Sequence, residues 1–386
     1  MDIITSILII LGVGLVLGQL FEHYRLAAVA GEIVGGIVLG PAILGIVRPD
    51  AVLSSLSELS LFFIVLLIGI EMTTEVLSSS YRKALPFSFT SFMLPVVIMT
   101  AILYFLFRFT FAASVIVSVS IGVPSISIIS VLVRNYGLVQ KPGGIVVLSS
   151  VIISDLLAFL ILSAFLSSRT VLPEVVLFAI FLILLFYLDY LLERNSEKVM
   201  KAFTRLRATE HGEKVIFGVI IFSGLLVSSF FQFIGMTYVL GAFFSGMVIS
   251  DVIVGKELFG IITRTLNRMN ESFFIPVFFT IAGIQAVIPT SDYFAVLGSL
   301  LLITGGLSAL MSRKVAEKIE LGTEPMTTVG LLGGRGAVGV VIAGLALLTG
   351  LINYDLYSVI LFGTVILSCI FPLLIRGKRE ENSPDA

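Results

Sequence analysis

One acidic side chain carries most of the chemistry open to this sequence. Asp155 lies in Ser149-Ser150-Val151-Ile152-Ile153-Ser154-Asp155-Leu156-Leu157-Ala158-Phe159, near the middle of an apolar run from about Gly143 to Leu166. Such a run is long enough to cross a bilayer, which takes about 20 apolar residues. A carboxylate at that depth costs at least about 3 kcal/mol by insertion scales, so it points to function rather than packing. It can be neutralised by a proton or by a dehydrated cation, but not by both at once. Competition of that kind at one group would couple two ion flows, provided the conformational change is disfavoured when the site is charged and empty.

Two interrupted helices supply further ligands. The apolar run Phe111–Val133 contains Ser118-Val119-Ser120-Ile121-Gly122-Val123-Pro124-Ser125-Ile126-Ser127, with Gly122 and Pro124 at its midpoint. Proline removes a backbone hydrogen bond and clashes with the preceding turn, so the helix should open here. Opened backbone at Val123 and Pro124 frees carbonyl oxygens that can replace part of a cation's hydration shell. Ser125 and Ser127 add hydroxyls, and Asp155, with its neighbour Ser154, reaches a similar depth from the opposite face. The predicted ion-binding and proton-coupling set is therefore Asp155, Ser154, Ser125, Val123, Pro124 and Ser127, with Asp155 and Ser125 as the ligands of a monovalent cation. The competing reading is that serines and glycines only let helices pack closely.

The second interruption is Gly330-Leu331-Leu332-Gly333-Gly334-Arg335-Gly336-Ala337, part-way through another apolar run. A guanidinium there must be paired or hydrated, and Arg335 is expected to act as a supporting charge, for example on the carbonyl ends of broken half-helices. Glu71 is a second supporting charge, near the end of its span. It and Glu32 are read as helix-end or funnel charges. His23 and His211 fall in connecting loops.

The elements that must position these residues are membrane helices. The chain has 386 residues, 58% of them hydrophobic and 13% charged, and a mean hydropathy of +1.12. About a quarter of a soluble protein is charged, so the composition excludes a soluble globular domain. The lone cysteine, Cys369, excludes an intrachain disulfide and a cysteine-based metal site. The first apolar run lacks a basic leader and a small-residue cleavage site, and reads as a first span rather than a signal peptide. The expected fold is an all-α polytopic membrane protein of about thirteen transmembrane helices. Two inverted six-helix repeats are joined by a linking helix, and the broken spans 5 and 12 cross at mid-membrane. In residue terms, 1–192 form the first repeat plus the linking helix, 193–214 a cytoplasmic connecting segment, 215–375 the second repeat and 376–386 a short cytoplasmic tail.

Positive charge tests that count. With the N-terminus outside and the C-terminus in the cytoplasm, 20 lysines and arginines fall in cytoplasmic segments against 3 outside, namely Arg48, Arg108 and Arg169. One span more or fewer would destroy the bias. The cell (plasma) membrane is the expected location and the lipid bilayer the surrounding partner. The net charge of -1 carries no nucleic-acid signal. No hydrolytic or redox constellation and no phosphate-cradling loop with its lysine is present, since Gly333-Gly334-Arg335-Gly336 sits inside an apolar helix. The chain therefore reads as a transporter rather than an enzyme, with no cofactor beyond the ions it moves. A cation channel is the alternative from another class, but one buried carboxylate suits exchange better than rapid conduction.

The chain resembles the monovalent cation:proton antiporters, in the branch that includes the Kef and NapA types. The resemblance rests on five stretches: Gly31-Glu32-Ile33 through Gly40-Pro41, the helix from Glu58 to Glu71, Asp155 itself, Phe274-Ile275-Pro276-Val277-Phe278-Phe279, and Arg335-Gly336-Ala337-Val338. It covers essentially the whole membrane part. It implies a homodimer moving by an elevator-like shift, with Asp155 as the ion-binding aspartate and sodium as the first candidate ion, potassium or lithium as alternatives. Kef-type potassium efflux is a close variant. Where relatives commonly carry Asp, Asn or Gln before the aspartate this chain has Ser154. The single carboxylate implies electroneutral exchange. Pro124 stands where many relatives have threonine, and Gly339 where an acid is often found.

Overall fold

The structure is a computed structural model and describes residues 2–24, 26–71, 82–125, 129, 133, 138, 141–166, 212–233, 238–249, 254–319 and 324–375. Ser127, the linking span, almost all of the 193–214 segment and the 376–386 tail lie outside the described residues, as does the side chain of Glu71, the last residue of its helix.

The regular structure of the described residues is all helical, with no strand among them beyond one isolated two-residue bridge. In chain order the helices are α1 (Ile3–His23), α2 (Ala28–Leu39), α3 (Ala51–Glu71), α4 (Arg82–Leu106), α5 (Phe111–Gly122), α6 (Pro142–Leu166) and α7 (Gly212–Phe233). They continue with α8 (Tyr238–Met247), α9 (Lys256–Met269), α10 (Ile275–Ile284), α11 (Ser291–Lys318), α12 (Pro325–Leu332), α13 (Ala337–Leu348) and α14 (Tyr354–Ile370). Among the described residues, six helices are long and apolar enough to cross a membrane: α1, α3, α4, α7, α11 and α14 with its short extension to Leu374. Shorter apolar helices include α2, α5 and α13, and two of these are the halves of interrupted spans.

Two boundaries differ from the hydropathy pattern, each for a local reason. The apolar run from Leu26 predicts a second span reaching Val47, but α2 stops at Leu39 because Gly40 is extended and Pro41 follows it. The apolar run Phe273–Ile288 predicts a tenth span beginning at Phe273. Instead α9 leads into α10 through a π-helical turn, Asn270–Phe274. In α9 the buried residues Leu258, Ile262 and Leu266 recur every fourth position while Lys256, Arg264 and Arg268 are exposed, the pattern of a helix lying along an interface. A hydropathy reading sees only the apolar end of such a rod.

Two compact units emerge from the packing. One contains residues 1–57, 75–162 and 276–386, and the other 58–74 and 163–275. In the smaller unit, helices touch backbone to backbone at glycines: a Cβ on Gly69 would come within 2.1 Å of the Phe243 carbonyl, and one on Gly246 within 2.3 Å of that of Leu66. Asn270 donates to the Phe63 carbonyl at 3.2 Å, and Phe63 stacks on Phe274.

Glu71 belongs to the smaller unit, whereas the larger one holds Asp155, Ser154, Val123, Pro124, Ser125 and Arg335. Within it α1, α2 and α10 cross closely. A Cβ on Gly31 would lie 2.3 Å from the Leu17 carbonyl, and one on Gly36 would lie 2.0 Å from that of Thr280. Small residues permit this approach, which in lipid supplies much of the attraction between helices.

Candidate functional site

The site is built on two opened helices that meet. Helix α5 ends where Val123 turns extended, at φ −70° and ψ 124°. Pro124 then pairs with Arg335 in an antiparallel bridge, and the Ser125 N–H donates to the Gly334 carbonyl at 2.9 Å. Helix α12 stops at Leu332 and α13 begins at Ala337, so the break occupies residues 333–336. Each interruption thus satisfies part of the other's exposed backbone, which explains how non-helical chain survives away from water. The sequence places both breaks, and the structure brings them into direct contact.

Two glycines in this region are dictated by close approach. A Cβ on Gly333 would fall 1.6 Å from the Phe371 ring, and one on Gly339 would fall 2.0 Å from the Ser120 carbonyl. At Gly339, where relatives often carry an acid, α13 instead lies directly against α5. An acidic side chain has no room there.

Arg335 is 0% exposed, yet no acid pairs with it among the described residues. Its guanidinium caps open backbone instead: Nη1 donates to the Leu332 carbonyl at 3.1 Å and Nη2 to the Thr304 carbonyl at 3.2 Å. Leu332 is the last residue of α12, whose terminal carbonyls lack helical partners. Thr304 lies in the π-helical stretch Leu301–Leu307 of α11. The Arg335 backbone is fixed by Ser368, whose hydroxyl donates to the Arg335 carbonyl and accepts from its N–H. The guanidinium thus lies on the carbonyl end of the half-helix α12.

Asp155 is also 0% exposed, at the centre of α6, and among the described residues neither carboxylate oxygen has a hydrogen-bond partner. It is not hydrogen-bonded to Ser125 and not paired with Arg335. Ser125 is buried, and so is the hydroxyl of Ser120, which has no partner among the described residues and lies one turn before the break. An ionised carboxylate without donors in such surroundings costs several kcal/mol, so this arrangement calls for a proton or a cation on the acid.

The neighbouring serine is committed elsewhere. Ser154 donates its one hydroxyl proton to the Ser150 carbonyl at 2.9 Å. The 2.9 Å contact between Ser88 and Ser154 must then have Ser88 of α4 as donor. Ser154 has no proton left for Asp155, and α6 is tied to α4 beside the acid. Ser88 was not singled out by sequence, since no local pattern links two residues 66 positions apart. Replacing Ser88 with alanine should leave the fold intact and weaken the tie by about 1 kcal/mol, which reads as roughly a fivefold change in half-saturating cation concentration in a vesicle flux assay.

The whole span of the chain is similar to known proteins. The family model described as "Sodium/hydrogen exchanger, transmembrane" matches residues 7–376. A probable Na(+)/H(+) antiporter 3 of Methanocaldococcus jannaschii is 26% identical over 379 residues, covering 95% of this chain and 94% of that one. An Na(+)/H(+) antiporter of Enterococcus hirae is 22% identical over 392 residues, covering 97% and 98%. The fold is similar to that of the sodium proton antiporter MjNhaP1 from M. jannaschii at pH 8, with a TM-score of 0.69 at 16% identity over 95% of both chains. With a family model spanning nearly every residue, from the first helix to the last, the chain belongs to the transmembrane sodium/hydrogen exchanger family.

Proposed function

We propose that this protein is a secondary active transporter that exchanges a monovalent cation, sodium first, for a proton by alternating access, with the two ions competing for Asp155. The observation that carries this reading is the Asp155 carboxylate itself: fully buried, in the same compact unit as the bridged helix breaks, with both oxygens unpartnered among the described residues. Sodium is put first because the similar proteins named above are sodium/proton antiporters by name.

In this account Asp155 accepts the cation or the proton, and hydroxyl or carbonyl oxygens at Ser125, Val123 and Pro124 complete the cation's shell, with Ser154 held beside the acid. Ser127 is kept as a proposed ligand, and Arg335 and Glu71 as supporting charges. Either guest neutralises the acid and permits the change of access, whereas the charged, empty site is held back. A single titrating carboxylate next to Ser154 supports one cation for one proton, an electroneutral exchange. The protein is no enzyme on this reading and has no cofactor beyond the transported ions. It forms a homodimer in the cell membrane, with the N-terminus outside and the C-terminus in the cytoplasm. The proposed architecture has thirteen spans, in inverted repeats 1–192 and 215–375, of the Kef and NapA kind. The charge bias of 20 to 3 supports the orientation, and the two bridged breaks, in the fifth helix of each half, support the repeats.

The test is purified protein in vesicles with a trapped pH dye, given sodium, lithium or potassium in turn, with and without an imposed membrane potential. The reading expects sodium-driven proton flux at a rate that ignores the potential. Flux with potassium alone moves the selectivity to the potassium-exchange alternative. Unitary currents without proton coupling reject exchange in favour of a channel.

A further inference from the structure

Helix α9 carries charges that the exchange mechanism leaves unused. Its 14 residues divide into two opposite faces. Leu258, Ile262 and Leu266 recur every fourth position and are buried. With about 3.6 residues per turn, Lys256, Gly260, Arg264 and Arg268 fall on the far side of the helix. The three cations of that row are exposed.

The two arginines are not matched by nearby acids. Glu257, in the first turn, lies two turns before Arg264. Glu271, one turn past Arg268, accepts a hydrogen bond from the Asn267 amide at 3.0 Å. Arg264 folds back along the helix, and its Nε donates to the Gly260 carbonyl at 3.2 Å. Neither arginine makes an ion pair among the described residues. Like charges at i and i+4 repel across one turn and weaken the helix that carries them. Gly260 leaves space in the same row: a Cβ there would meet only the Arg264 Nη2, at 3.8 Å. Asp251, before the helix, lies outside the described residues.

We propose that this face of α9 is a docking surface for an anionic phospholipid, whose phosphate sits on Arg264 and Arg268 beside the gap at Gly260. A guanidinium presents a planar fork that matches phosphate oxygens, and an anion between two of them cancels their repulsion. Position selects a lipid over a soluble anion. Helix α9 runs through the π-helical turn Asn270–Phe274 straight into the apolar helix α10, so its cations stand at headgroup height. The part-buried Ile261 borders the cationic row and offers apolar surface to an acyl chain. The charge bias gives this side to the cytoplasm, whose leaflet is the one that carries anionic lipid. Asn270 ties the end of α9 to the Phe63 carbonyl of α3, so a lipid held on α9 anchors the smaller unit to one leaflet. Only the effect on transport rests on the exchange reading; the binding stands apart from it.

The test follows the melting temperature of full-length protein in a neutral detergent as phosphatidylglycerol, phosphatidylcholine or inorganic phosphate is added. Phosphatidylglycerol should raise it, and the other two should not. Each cation near an anionic lipid surface contributes about a fivefold gain in affinity. Replacing both arginines, Arg264→Gln with Arg268→Gln, should therefore raise the lipid concentration for half the effect about thirtyfold. A second variant, Gly260→Glu, keeps both arginines and places a carboxylate in the open space one turn before Arg264. That pair supports the helix, so the variant should fold at least as well as the wild type and still lose the lipid response. Arg313→Gln with Lys314→Gln, exposed cations of α11, should respond as the wild type does. In vesicles, adding phosphatidylglycerol to phosphatidylcholine should speed exchange in the wild type and not in the α9 variants. No rise with phosphatidylglycerol, an equal rise with inorganic phosphate, or an unchanged response in the α9 variants overturns the proposal. So does an equal loss in the α11 control. If the wild type exchanges nothing in any vesicle, the exchange reading fails, and the melting series still decides whether α9 holds lipid.

Discussion

Replacing Asp155 with asparagine is expected to reduce cation-driven proton flux to the level of empty vesicles while leaving the protein folded. Asparagine has nearly the shape of aspartate but cannot carry the negative charge that attracts a cation or the site that takes up a proton. In most proteins the removal of a buried acid breaks hydrogen bonds. Here it breaks none among the described residues, where neither carboxylate oxygen has a partner. Removing an uncompensated buried charge relieves a cost, so the variant should melt at or above the wild-type temperature in detergent. Loss of function with unimpaired stability is the signature of a transport residue. Loss of both together would make Asp155 a structural group, and retained flux would remove it from the mechanism.

Arg335 should behave in the opposite way. Its fork joins the last carbonyl of α12 to the π-helical turn of α11, two points that a lysine ammonium cannot reach at once. Charged hydrogen bonds of this kind contribute about 1.5–3 kcal/mol each. Arg335→Lys is therefore expected to lose about one of them, and Arg335→Ala both, together with the filled volume of a fully buried side chain. The alanine variant should show a marked fall in melting temperature and in yield of folded protein, and any molecules that fold should have reduced maximal flux. A variant as stable as the wild type would mean that the guanidinium does not hold the two breaks together.

The contrast between these residues shows what a membrane sequence makes legible. Asp155 and Arg335 stand out because any charge in an apolar run does, and the breaks stand out because Pro124 and the glycines at 333–336 cannot continue a helix. The all-helical class follows from hydropathy alone, since only helices and closed barrels satisfy their backbone in lipid. What the sequence hides is which face of each helix looks inward. In a soluble helix the apolar stripe marks it, but in α6 every face is apolar, so nothing announces that Ser154 meets Ser88. For the same reason Glu32 reads as a funnel charge, although it is buried with its side chain against Gly18 of α1. The fit of Phe371 against Gly333 and of Ser120 against Gly339 depends on a backbone approach that residue types alone do not encode. The ends of spans 2 and 10 were misread because a hydropathy window sees polarity rather than the Gly40-Pro41 stop or the interfacial helix α9.

The most direct test of competition at one carboxylate is the sodium concentration for half-maximal flux, measured across a range of pH. When two guests exclude each other from one group, this concentration should rise about tenfold for each unit of acidification below the titration of the site, with the maximal rate unchanged. A half-saturating sodium concentration that stays constant while the maximal rate falls would mean that the proton and the cation bind at different places, and would contradict the account.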